Sequence, residues 1–203
     1  FDQDMQRKMQ RRLNLEIDLR QAIDMESLHL EFEPIVDLQT GGVQAVEVHA
    51  CWEHPAYGRI DTAEINSLAE ASGVAYQLTK WTLDTACQEI CQWKQLGSLS
   101  PKAFNLNLTP KQFGLPNLPQ MVFAALNRYR LPGSSLRFEI TEAAFVRNTE
   151  EASRQIGSLR NVGVGVGIDH FGVGTSSFTS LHQLPVDLVK IDRSMLCELH
   201  NSK

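Results

Sequence analysis

Four oxygen-bearing side chains, Glu47, Asn107, Glu139 and Asp169, each lie near the C-terminal end of a run of apolar and β-branched residues. Three carboxylates and an amide gathered in one place repel one another unless a cation sits among them. An all-oxygen donor set suits a hard ion such as Mg²⁺ or Mn²⁺. Taken singly, each residue has a plainer explanation, because acidic residues at strand ends also cap helices or face water. The chemistry therefore depends on whether the elements that carry them converge.

Apolar and β-branched runs predict strands over Leu28 to Val36, Val43 to Trp52, Ala103 to Thr109, Leu136 to Thr141, Val164 to Asp169 and Val186 to Ile191. Helical periodicity fills the intervals, over Thr62 to Ala71, Tyr76 to Leu96, Leu118 to Tyr129 and Glu150 to Val162. Repeated β-then-α units give an α/β fold with a parallel sheet covered by helices, either a closed barrel or an open doubly wound sheet. In a barrel, the C-terminal strand ends form the face on which sites are built. Only Asp37 to Gly42 separates the first two strands, and Thr40-Gly41-Gly42 supplies turn chemistry, so this pair is expected to be an antiparallel hairpin.

The opening stretch, Asp2 to Met25, sets Met5, Met9, Leu13 and Ile17 four residues apart among polar neighbours, an amphipathic helical stripe. Such a helix either packs over the end of the barrel or links it to an upstream domain. Residues 1–25 are accordingly read as a linker helix and 26–203 as one barrel domain. Gly163, Gly165 and Gly167 alternate ahead of Asp169, but they precede a strand end instead of joining a strand to a helix. That arrangement favours close packing over a phosphate-cradling loop.

A net charge of −5 supplies no broad basic field for a nucleic-acid backbone or an anionic membrane. No run of about 18 apolar residues is present, and no charged-then-apolar leader opens the chain, so neither a membrane span nor a signal peptide is expected. The cysteines Cys51, Cys87, Cys91 and Cys197 lack the paired spacing of a disulfide scaffold or a zinc knuckle, which fits a reduced cytoplasm. Cys87 and Cys91, four apart on a predicted helix, read as structural thiols.

Five segments in order carry a resemblance: Glu47-Val48-His49-Ala50-Cys51-Trp52-Glu53-His54-Pro55, Asn107-Leu108-Thr109-Pro110-Lys111-Gln112-Phe113, Phe138-Glu139-Ile140-Thr141-Glu142, Asp169-His170-Phe171-Gly172-Val173-Gly174 and Lys190-Ile191-Asp192-Arg193-Ser194. Together they resemble the ordered motifs of the EAL family of bacterial cyclic-di-GMP phosphodiesterases, TIM-like (β/α) barrels with an antiparallel first strand. The resemblance implies hydrolysis of one phosphodiester bond of cyclic di-GMP, assisted by two metal ions. It implies metal-ligand roles for Glu47, Asn107, Glu139 and Asp169, with Lys190 near the attacking water or the phosphate. A lysine paired to a carboxylate at the end of a buried strand accounts for Lys190 almost as well. The opening helix looks like the connector that follows a diguanylate-cyclase-type domain in fused proteins of this class. Gly172-Val173-Gly174 and Ser176-Ser177 resemble the family's loop near its dimer interface, so a homodimer is expected.

Several positions depart from the family pattern. Val48-His49 replaces the signature Ala-Leu, while Glu47 is kept. Cys51 stands where the family has an arginine that contacts a ligand phosphate, and a thiol offers neither the charge nor the fork. Loss of such a contact costs about 1.5–3 kcal/mol. Glu33 replaces a glutamine of the first strand and adds an acid near an anionic ligand. His170 replaces the aspartate associated with the second metal; an imidazole carries no negative charge and prefers softer ions. The expectation is one Mg²⁺ or Mn²⁺ site, with the second weakened. The chain stops at Lys203, short of the roughly 250 residues such barrels take, so the last one or two β/α units are expected to be missing. The leading expectation is a catalytically impaired binding or regulatory module in cyclic-di-GMP signalling. The alternatives are a residual metal-dependent phosphodiesterase and a protein-interaction domain that binds no nucleotide.

Overall fold

The computed structural model describes residues 2–95, 101–146, 148–173 and 184–195. The chain order is α1 (Asp2–Asp24), β1 (Leu28–Val36), β2 (Val43–His54), β3 (Gly58–Ile60), α2 (Thr62–Ser72), α3 (Ala75–Gln95), β4 (Ala103–Leu108), α4 (Pro110–Phe113), α5 (Leu118–Tyr129), β5 (Leu136–Thr141), α6 (Thr149–Asn161), β6 (Gly165–Phe171) and β7 (Leu188–Ile191). The strands form one sheet in the order β1-β2-β4-β5-β6-β7, with β3 paired to β2 beside that path. β1 and β3 run antiparallel to β2, and every later pair is parallel.

Alternation along the strands decides which side chains reach the site. Val46, Val48, Phe104, Leu106, Phe138, Ile140, Val166 and Ile168 are buried in the main core. They pack with Leu83, Cys87 and Ile90 of α3, Val122 and Leu126 of α5, and Ile156 and Leu159 of α6. Each such side chain contributes about 1.5–3 kcal/mol on burial. The intervening positions, Glu47, Asn105, Asn107, Glu139, Gly167 and Asp169, fall on the opposite face, where the polar groups meet.

Local signals explain the boundaries. Asp37 closes the β1–β2 hairpin by accepting hydrogen bonds from the Gln39 and Thr40 backbone N–H groups at 3.0 and 2.7 Å. Asp61 caps α2 by accepting from the Glu64 N–H at 2.9 Å, and Gly73, at φ +75°, ends it. Thr109 and Gln112 form a capping box at α4. Gly167 faces Leu188 so closely that an added Cβ would lie 3.3 Å from the Leu188 Cβ, so close packing accounts for this glycine, whereas Gly163 is needed for its positive φ of +87°.

The opening helix forms as expected, but the Met5, Met9, Leu13 and Ile17 stripe is the exposed face. The buried face is Leu15, Leu19, Ala22 and Ile23, which joins Trp52, Ile60, Ile65 and Leu68 in a second core cluster. The stripe's spacing of four drifts around the helix, whereas the buried set keeps a fixed face toward α2. Two strands also run past their expected ends: β2 continues to His54 because β3 pairs with it, and β6 continues through His170 to Phe171.

Candidate active site

The C-terminal halves of β4, β5, β6 and β7 and the middle of β2 bring Glu47, Asn107, Glu139, Asp169 and Lys190 together. Glu47 lies in mid-strand, not at a strand end as expected, because β2 runs on past its pairing with β4 to His54. Register places Asn107 beside Glu139 and Thr141 beside Asp169. One carboxylate oxygen each from Glu47, Glu139 and Asp169 lies within 4.8 Å of the others. The Lys190 Nζ donates to Glu47 Oε2 at 2.7 Å and to Glu139 Oε2 at 2.8 Å, and stands 3.6 Å from Asp169 Oδ1. The Asn107 Nδ2 donates to Glu47 Oε1 at 2.5 Å. A half-turn of that amide would offer its oxygen to a cation instead.

Asn105, which the sequence reading passed over, is wholly buried and donates from Nδ2 to Glu139 Oε1 at 2.7 Å. Its alternation with Asn107 on β4 was the available signal. Burial pushes the Glu139 carboxyl above the usual carboxylate range, with Lys190 pulling against it. Burial also opposes the charge on Glu47, yet hydrogen bonds from Lys190 and Asn107 prevail and hold it below that range. The Lys190 ammonium is disfavoured by burial, but its bonds to Glu139 and Glu47 outweigh this and raise its pKa.

A β-bulge aims the next residues. Ile168 pairs with Val189 and Phe171 with Ile191, so Asp169 and His170 together span the interval that Lys190 spans alone. His170 takes a left-handed backbone, φ +53°, which turns Asp169 inward and the imidazole outward. The His170 Nδ1 lies 2.8 Å from Asp192 Oδ2, and its Nε2 lies 3.5 Å from Asp169 Oδ2. Asp192 raises the His170 pKa through that contact, while the Ser194 hydroxyl and N–H, with His170, hold Asp192 down at about 2.

Glu33 and Cys51 are not part of the acid cluster. Glu33 is exposed on the rim, with Oε2 3.6 Å from His49 Nε2. Cys51 is buried four residues beyond Glu47, and Arg59 of β3 lies over it with Nη2 3.6 Å from the sulfur. Cys87 is fully buried, its thiol pushed up to about 12 by burial, and Cys91 donates to the Tyr129 carbonyl at 3.6 Å. Both are structural in position. Cys197 and residues 174–183, including Ser176 and Ser177, lie outside the described residues. Among the described residues, no helix is long and apolar enough to cross a membrane.

This geometry can be set beside known proteins. The bifunctional diguanylate cyclase/cyclic di-GMP phosphodiesterase MucR of Pseudomonas aeruginosa is 36% identical over 203 residues, which is 100% of this chain and 30% of MucR. The oxygen sensor protein DosP of Escherichia coli is 31% identical over 196 residues, 97% of this chain and 24% of DosP. The chain thus spans about a quarter to a third of the length of these curated relatives. The solved PaMucR phosphodiesterase in complex with c-di-GMP superposes with a TM-score of 0.85 at 35% identity, over 93% of this chain and 76% of that one. The EAL domain of Mycobacterium smegmatis DcpA superposes with a TM-score of 0.67 at 32% identity, over 87% of this chain and 69% of that one. The family model that matches is the EAL domain, over residues 16–203, and the chain belongs to that family.

Proposed function

We propose that this EAL domain acts in cyclic-di-GMP signalling as a binding or regulatory module whose hydrolytic capacity is impaired. The observation that carries the reading is the β6 bulge. It puts the His170 imidazole between Asp169 and Asp192, at 3.5 and 2.8 Å, where a carboxylate would be needed to draw in a second hard cation. The first cation is better provided for. Glu47, Glu139 and Asp169, with the Asn107 amide, form an all-oxygen donor set within reach of one ion, and Mg²⁺ or Mn²⁺ is the ion we infer. When bound, such an ion supplies Lewis-acid activation of water and phosphate oxygen.

The chain's own residues define what remains. Lys190 holds its proton between Glu47 and Glu139 and can direct that charge at an anionic ligand. Glu47 stays ionised beside it, able to orient or accept a proton from water. The intact acid cluster is also what favours the second reading, a residual metal-dependent phosphodiesterase.

Calorimetric titration of cyclic di-GMP, with and without Mg²⁺, followed by analysis for linear product, separates the readings. Saturable binding without product supports the regulatory module. Metal-dependent product that vanishes in Glu47→Ala supports the residual enzyme. An absence of binding removes both and leaves a protein-interaction domain.

We also infer self-association, supported by the row of exposed apolar residues Met5, Met9, Leu13 and Ile17 along α1. A strictly monomeric species in sedimentation at high concentration would refute it. Attachment of α1 to an upstream diguanylate-cyclase-type domain and a cytoplasmic location belong to the same proposal.

A further inference from the structure

A second set of donor atoms gathers where β1, β2 and β3 run side by side. Cys51 on β2 stands opposite His29 on β1, and Glu31 follows on the same face as His29. One ligand atom from each of His29, Glu31 and Cys51 lies within 4.8 Å of the other two. The His29 Nε2 is 3.5 Å from Glu31 Oε1. Strand rise puts Cys51 about 13 Å from Glu47 along β2, so this cluster is separate from the oxygen site.

Its donors also differ in kind. An imidazole nitrogen, a thiol sulfur and a carboxylate oxygen are the set that Zn²⁺ takes, in contrast to the oxygen set suited to Mg²⁺. Three protein ligands leave a fourth tetrahedral position to water.

A cation already stands at this point. The Arg59 Nη2 donates to Glu31 Oε2 at 2.5 Å and lies 3.6 Å from Cys51 Sγ. Arg59 comes from the short edge strand β3, and its side chain is 57% exposed, so it can swing into solvent without disturbing the core. The buried thiol has a gap to fill only if that guanidinium leaves.

We propose that His29, Glu31 and Cys51 form a Zn²⁺ site, with the Arg59 side chain as the internal counter-charge that the ion displaces. Binding forms a Zn–S bond as the Cys51 thiol releases its proton to solvent; His29 binds through a neutral nitrogen and Glu31 through its carboxylate. The site is distinct from the acid cluster. Because Cys51 stands where the family has an arginine on a ligand phosphate, an ion held there would lie beside a bound nucleotide, so the metal alone is the probe.

Co²⁺ added to the reduced, metal-free chain tests it, because a thiolate ligand gives a near-ultraviolet charge-transfer band that oxygen ligands do not. The band is expected, is abolished in Cys51→Ser, persists in Glu47→Gln, and is quenched as Zn²⁺ replaces Co²⁺. His29→Ala alters an exposed residue and leaves the core intact; it is expected to weaken Zn²⁺ binding by at least about tenfold. Arg59→Gln removes the competing cation and is expected to tighten binding. The proposal is overturned by a Co²⁺ spectrum without the thiolate band, by a band that survives Cys51→Ser, or by unchanged affinity in His29→Ala.

Discussion

Replacing Lys190 by alanine tests whether the acid cluster is held together by this one ammonium. The lysine bridges Glu47 and Glu139 at 2.7 and 2.8 Å, and the Glu139 side chain is wholly buried. Among the described residues, its removal leaves Glu139 with Asn105 as its remaining side-chain hydrogen-bond donor, and with Glu47 as a nearby like charge. Breaking a buried pair by removing one partner costs about 3–5 kcal/mol, and the partial exposure of Lys190 points to the lower end, about 3 kcal/mol. For a chain of this size that is a fall of about 6–12 °C in Tm. The sign with pH follows from Glu139, whose pKa is already raised by burial and rises further without the lysine. The variant's deficit is therefore full at neutral pH and shrinks at acidic pH, where the variant's Glu139 takes up a proton sooner than the wild type's. A divalent cation can also fill the vacated place. Mn²⁺ at about 100 times its Kd should restore about 2.7 kcal/mol to the variant. Urea unfolding at both pH values, with and without Mn²⁺, reads all three effects. A Lys190→Ala protein that unfolds at the wild-type midpoint at neutral pH would refute the pairing argument.

Restoring a carboxylate with His170→Asp should raise Mn²⁺-dependent release of linear product from cyclic di-GMP, measured chromatographically; no gain would count against the bulge as the cause of impairment. Leu19→Ala, on the buried face of α1, should cost about 2–5 kcal/mol in denaturant unfolding. Ile17→Ser, on the exposed face, should change stability by less than about 0.5 kcal/mol while lowering the sedimentation-derived association constant. Gly133→Ala should be destabilising in the same unfolding assay, because an added Cβ would sit 2.4 Å from the Val162 carbonyl oxygen, a backbone atom that cannot swing aside.

Much of the framework was readable because local pattern and tertiary role agree. β1 and β5 begin and end at the expected residues, as does α5, where apolar periodicity coincides with turn or capping signals. The four oxygen residues were readable as a set because alternation puts them on one face once the strands are in register. What escaped depends on information that no single segment carries. β3 is three residues long, too short for periodicity, and exists because Gly58, at φ +71°, turns the chain back onto β2. The left-handed His170 could not be read from a non-glycine residue, yet it sets the reach of both Asp169 and Asp192. α1 has apolar residues on two faces, and spacing alone chose the one that α2 does not cover. Arg59, Glu31 and His29 were missed because their meeting with Cys51 needs three strands in register.

The mouth of the barrel follows one electrostatic rule. Among the described residues, three acidic positions are each met by a basic group of the chain itself: Lys190 among Glu47, Glu139 and Asp169, the His170 imidazole between Asp169 and Asp192, and Arg59 on Glu31. These internal counter-charges compensate the carboxylates without a metal ion, in contrast to sites that need the ion to form. An incoming divalent ion must then displace or share an existing counter-ion, so its apparent affinity depends on how tightly that counter-ion is held. Lys190, with two short hydrogen bonds and raised basicity, is the hardest to move, and Arg59, on an exposed edge strand, is the easiest. Metal affinity at the two clusters should therefore respond in the same direction, but by different amounts, to removal of their internal cations.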